Sequence, residues 1–244
     1  MNRKWFELVV AGAFFFISTV ALAQPFATKY VKGTVTSVSV PSFPPSTTTI
    51  TESTDTTTID DSVNCGGYSG SSFYRAFSLA TFPSLDRAKF RLLAVTFGVF
   101  LVRSDDGGPT LPMTVNVYST SAMPPKLASL TLLDSVSFSL PDSGATTYTV
   151  VLPHQPVMTV ATDTLVVEVF YINNATNNST FFIGGNDAGQ SAPTYERSPD
   201  CFGLEDITDV ASLGPFFDQF SLLMLVNGVT EDPTPVRLQS FDVE

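Results

Sequence analysis

Polar and apolar residues alternate with a period of two along most of this chain, in short runs closed by turn residues. In "SFYRAFSLA" (72–80), Phe73, Arg75, Phe77 and Leu79 share one face. In "TLVVEVFYI" (164–172), Leu165, Val167, Val169 and Tyr171 share one face, and Val166, Glu168 and Phe170 the other. The same pattern picks out "LAVTFGVFLV" (93–102), "MTVNVYS" (113–119), "SVSFSL" (135–140), "TYTVVL" (147–152), "TFFIGG" (180–185) and "FSLLMLVNG" (220–228). The threonine-rich "TTTITESTDTTTI" (47–59) is a further candidate. Successive strand side chains point to opposite faces, so such alternation marks half-buried strands. Between the runs, "RSDDGGP" (103–109), "TSAMPPK" (120–126) and "LPDSGAT" (140–146) supply the Gly, Pro and Asp that reverse a chain. Eight or nine strands over about 180 residues predict an all-β fold: two antiparallel sheets packed as a jelly-roll-like sandwich. No repeat of fixed period is present, which argues against a propeller or solenoid.

The ends modify this picture. Residues 1–23 open with Arg3 and Lys4, continue in an apolar run from Leu8 and finish on Ala-Leu-Ala, the three-part pattern of a cleaved signal peptide. That run is shorter than the roughly 20 residues a spanning helix needs. The expected organisation is a signal peptide at 1–23, a mobile lead-in at 24–46, a sandwich at 47–230 and a tail at 231–244. The expected location is secreted or extracellular, with the periplasm or the cell surface as variants. No membrane attachment is expected after cleavage.

Charge narrows the partners. With 12 basic and 23 acidic residues the chain carries a net charge of −11, which disfavours nucleic acid and anionic membrane surfaces. The two cysteines, Cys65 and Cys201, are expected to pair in an oxidising compartment. Closing so long a loop stabilises a fold by roughly 5 kcal/mol at most on the chain-entropy account.

The stretch "FFIGGNDAGQSAPTYERSPDC" (181–201) concentrates polar chemistry. Asn186, Asp187, Gln190, Tyr195 and Arg197 suit sugar hydroxyls and ring faces, and are the candidate ligand-binding residues. The same residues suit a crossover in which glycines turn the chain and Cys201 pins its end, so both readings stand. Arg75, on an apolar face, needs an acceptor because an unpaired buried charge is very costly. Its expected partner is Asp200 or Glu196. Glu168 is expected to point outward.

Together "TTTITESTDTTTIDDSVNC", "SSFYRAFSLATF", "PMTVNVYST", "DTLVVEVFYI", "FFIGGNDAGQSAPTYERSPDC" and "FSLLMLVNGV" resemble a family of bacterial extracellular β-sandwich accessory modules. These occur alone or appended to exported peptidases and other surface proteins, and the resemblance runs from about residue 47 to 229. It implies an exported sandwich module and supplies no mechanism.

Catalytic motifs are missing. The one histidine, His154, sits between prolines at a strand end, and there is no G-x-S-x-G elbow or phosphate-binding loop. No enzyme activity is expected, and no cofactor. Calcium at Asp60–Asp61, Asp105–Asp106 or Asp187 is the weakest option, since the spaced acidic loop that binds it is not present. The expected function is non-catalytic binding of a carbohydrate or a cell-surface partner. The alternatives are a structural or adhesive surface protein and, third, a secreted hydrolase.

Overall fold

The computed structural model describes residues 33–34, 36–37, 42–63, 70–104, 110–171, 179–200 and 203–232. The expected signal peptide, the Cys65–Cys201 bridge, Asp105, Asp106 and most of the tail lie outside the described residues.

Strands dominate. In chain order they are β1 (Gly33–Thr34), β2 (Thr36–Ser37), β3 (Thr47–Thr51), β4 (Thr58–Ile59), β5 (Asp61–Val63), β6 (Ser71–Ser78) and β7 (Lys89–Arg103). There follow β8 (Thr110–Thr120), β9 (Thr131–Pro141), β10 (Thr146–Val151), β11 (Val157–Thr159) and β12 (Thr164–Tyr171). The last are β13 (Thr180–Asn186), β14 (Thr194–Ser198), β15 (Leu204–Asp209), β16 (Ser221–Leu222) and β17 (Met224–Glu231). Two sheets pack face to face as a sandwich. One is six-stranded, in the order β15-β14-β6-β12-β8-β9. The other has nine strands organised around β7. Residues 33–34 and 36–37, inside the expected lead-in, carry β1 and β2, which pair with β4 and β10.

The alternation read from sequence is the alternation that packs. Phe73, Phe77, Val115, Val117, Leu165, Val167 and Val169 face inward from the six-stranded sheet. Phe90, Val95, Phe97, Ile183, Met224 and Val226 meet them from the other sheet, all in one buried cluster. Each fully buried side chain of this kind is worth about 1.5–3 kcal/mol in transfer from water.

Two departures have local causes. In β7 the inward positions run Phe90, Leu92, then Val95, Phe97, Val99, then Val102. The phase slips at Leu93, between the pairs Asn227–Ala94 and Gly228–Leu92, and again at Phe100, between Phe182–Leu101 and Ile183–Val99. Each slip is a bulge, one extra residue that flips the face of everything beyond it. The second departure is β14 and β15: the first was read from sequence as part of a crossover, and the second was not among the runs picked out. In β14 the inward residues are polar (Thr194, Glu196, Ser198), and of the outward pair, Tyr195 and Arg197, Tyr195 packs in an apolar cluster, so the strand's polarity is inverted.

Between Phe97 and Gly98, just before the second bulge, β7 exchanges one neighbour for another. It pairs with β17 over Lys89–Phe97 and with β13 over Gly98–Arg103. Leu223 stitches the fork, accepting from Gly98 N at 2.8 Å and donating to Gly184 O at 3.1 Å. A Cβ on Gly98 would lie 2.8 Å from Gly184 O, a backbone atom that cannot swing aside. We expect Gly98→Ala to lose about 1–3 kcal/mol of unfolding free energy. A urea melt equal to wild type would show that the fork has slack.

Candidate functional site

The polar stretch 181–201 is a crossover between layers. It leaves the nine-stranded sheet as β13, turns through 187–193 and enters the six-stranded sheet as β14. Its chemistry is mostly spent on that passage. Asn186, 1% exposed, donates to Asp55 O and Thr58 O at 3.0 and 2.9 Å and accepts from Ala188 N at 3.1 Å. Gln190 turns inward, where Oε1 accepts from Arg75 Nη1 at 2.7 Å and from Thr194 Oγ1 at 2.8 Å. Arg197 donates from Nε to Glu205 O at 3.1 Å, and Asp187 is exposed. Only Gly189, with φ of 101°, serves the turn by conformation. Of the five candidate ligand residues, Tyr195 lines a groove.

Arg75 corrects a second expectation. It is fully buried, as its place beside Phe73 and Phe77 requires, but it makes no pair with Asp200 or Glu196. Nη1 donates to Gln190 Oε1 and, at 2.6 Å, to Ala192 O. Nη2 reaches Ser53 Oγ at 3.1 Å, Ser221 Oγ at 3.0 Å and Leu222 O at 2.8 Å, and Nε also reaches Leu222 O, at 3.2 Å. Neutral oxygens from three chain segments therefore occupy the whole donor fork. Five fixed donors match such a cage better than any one carboxylate could. Burial lowers the guanidinium to about 10, with Glu52 opposing the shift, so it stays charged at neutral pH. Glu52 bonds Ser191 Oγ. Burial raises its carboxyl, against that hydrogen bond and the charge of Arg75.

Glu196, the other expected partner, is stranded. It is 0% exposed, and among the described residues neither carboxyl oxygen has a hydrogen-bond partner. Desolvation raises its carboxyl to about 7.

The outward face of the six-stranded sheet holds a grouping that no single stretch of sequence announces. Glu168 points outward, as expected, yet is only 6% exposed. Its Oε1 accepts from Tyr74 OH at 2.8 Å, and its Oε2 from Asn116 Nδ2 at 2.8 Å and Tyr118 OH at 2.7 Å. Burial and the adjacent carboxyl raise both phenols, so they remain hydrogen-bond donors. Three strands adjacent only in the sheet (β6, β12 and β8) meet at this point. One row further along the same strands, Phe170, Thr114, Pro112, Ser137 and Ser139 line an open groove of about 400 Å³. Across the face lies a second groove of similar volume, lined by Pro124, Lys126, Pro193, Tyr195, Ile207 and Asp209. Lys126 stands 3.6 Å from Asp206 there.

The remaining candidates are peripheral. His154 is an exposed turn residue whose Nδ1 lies 2.8 Å from Asp134 Oδ1, with its backbone N–H on Oδ2 at 3.1 Å. Among the described residues no group of three or more His, Cys, Asp or Glu is placed to hold a metal ion. Among the same residues no helix is long and apolar enough to cross a membrane. Comparison of the chain with known protein families, with curated proteins and with solved structures finds no match.

Proposed function

We propose that this chain is a non-catalytic extracellular binding module that takes a neutral glycan on the outward face of its six-stranded sheet. The observation that carries the reading is the groove at Phe170. An accessible aromatic ring lies among the hydroxyls of Thr114, Ser137 and Ser139, one row from Glu168 and its three donors. A ring face suits the apolar face of a pyranose, while flanking hydroxyls and amides suit its equatorial oxygens. The network around Glu168 holds its side chains in single rotamers before any ligand arrives, which lowers the entropic cost of binding. The extracellular setting rests on the leader-like first 23 residues, the acidic composition and the resemblance to exported bacterial sandwich modules.

The test is a glycan array followed by calorimetric titration of the best neutral oligosaccharide. Phe170→Ala should weaken binding about tenfold or more, close to the ~1.4 kcal/mol expected for loss of a stacked ring. Tyr195→Ala, in the second groove, should leave the affinity nearly unchanged. If no glycan binds, or if the loss follows Tyr195 and not Phe170, the assignment to this groove is wrong.

A further inference from the structure

The six-stranded sheet ends on two very different edges. At one, β15 (sequence LEDITD) carries Glu205, Asp206 and Asp209. At the other, β9 runs for 11 residues, pairs with β8 on one side and has no strand on the other among the described residues. A free edge is a template for another strand, and proteins blunt such edges with charge, proline, bulges or short length. On β9 those guards sit at the ends. Asp134 is turned onto His154, a register slip falls at Leu133, and Pro141 closes the strand. Residues 135–140, the run Ser-Val-Ser-Phe-Ser-Leu, carry no charge in a chain whose net charge is −11. Two copies of so acidic a chain repel one another, and this edge adds no charge of its own to that repulsion. The five-residue β3 is uncharged as well, but offers less than half the length.

We propose that two copies of this chain associate through β9, pairing edge to edge and antiparallel about a two-fold axis near Ser137, to form one continuous twelve-stranded sheet. The two-fold places Val136 opposite Phe138 of the second copy and Ser135 opposite its Ser139. The apolar pair then faces the core side and the serines face outward. Alternation keeps each residue on its own face, so no register conflict arises. The consequence reaches the Phe170 groove, whose Ser137 and Ser139 lie on the joining strand. The second copy's β9 supplies a further wall to each groove. Two Phe170 rings then stand on one face, five strand spacings or about 24 Å apart. The pairing does not depend on the glycan reading; only its use for two-site binding does.

Sedimentation or light scattering of the whole chain at micromolar concentration should give twice the monomer mass. Amide hydrogen exchange at 135–140 should slow as protein concentration rises. Ser137→Lys and Ser137→Asp should each give folded monomers with the wild-type circular dichroism spectrum, because Ser137 is exposed. Mixing the two variants should restore a dimer through the opposed charges. A wild type that is monomeric across the micromolar range overturns the proposal. A Ser137→Lys protein that stays dimeric does so as well, because it places the contact on another surface. Ser137 lines the Phe170 groove, so its variants are read by mass and not by glycan binding; a monomeric wild type that still binds a glycan would leave the proposed function standing while removing two-site binding.

Discussion

Arg75→Met should lower unfolding free energy by about 3–5 kcal/mol, among the largest single-site effects in this protein. Methionine fills much of the same apolar corridor beside Phe73 and Phe77, so a cavity contributes little. The loss comes from acceptors. The carbonyl of Ala192 and the hydroxyl of Ser221 lose their recorded guanidinium bonds, while Leu222 O and Gln190 Oε1 keep only Ser53 Oγ and Thr194 Oγ1. The acceptors that lose a bond belong to the β3–β4 loop, the 187–193 turn and β16, so the substitution loosens one end of the sandwich at three places. Arg75→Lys keeps the charge but offers three donors on a flexible stem, and should fall between wild type and Arg75→Met. Chemical denaturation of the three proteins is the measurement. A loss under about 1 kcal/mol for Arg75→Met would mean that water replaces the guanidinium and that the cage is not structural.

Glu196 should make this protein more stable in mild acid than at neutral pH. Its carboxyl stands at about 7 in the fold against an ordinary value of 4.5, and the cause is desolvation. The folded state therefore holds this proton more tightly than the unfolded chain. Its contribution is complete below the ordinary value and is lost as pH rises through the folded one. Over that window the loss is about 3 kcal/mol, at ~1.4 kcal/mol per pH unit. Glu52, raised in the same direction by burial, adds to the trend. Glu196→Gln keeps shape and polarity without the ionisation, so its stability should fall less between pH 5 and pH 8. The gap between wild type and variant should widen steadily across that range. Parallel curves would show that water or a rearrangement relieves the buried charge.

These two residues also mark how far the sequence could be read. That Arg75 is buried followed from its neighbours on an alternating strand, because a side chain between Phe73 and Phe77 has nowhere else to go. Its acceptors did not follow. Backbone carbonyls and small hydroxyls occur everywhere in a sequence, and only the approach of residues 53, 190, 192, 221 and 222 makes them a cage. The polar residues around 186–190 stood out as chemistry. Their hydrogen bonds serve the passage from one sheet to the other, since a crossing chain must satisfy its own buried backbone groups.

The alternation of side chains and the turn residues between runs were enough to predict two packed antiparallel sheets. Those are local properties, set by the two-residue period of an extended backbone. Strand order, the bulges at Leu93 and Phe100, and the inverted polarity of β14 came only with the tertiary structure. So did the meeting of Tyr74, Asn116, Tyr118 and Glu168, brought together from strands up to 94 positions apart in the chain. Which strands lie side by side depends on how the two layers close around a shared core, a long-range balance of packing that no single stretch of residues encodes.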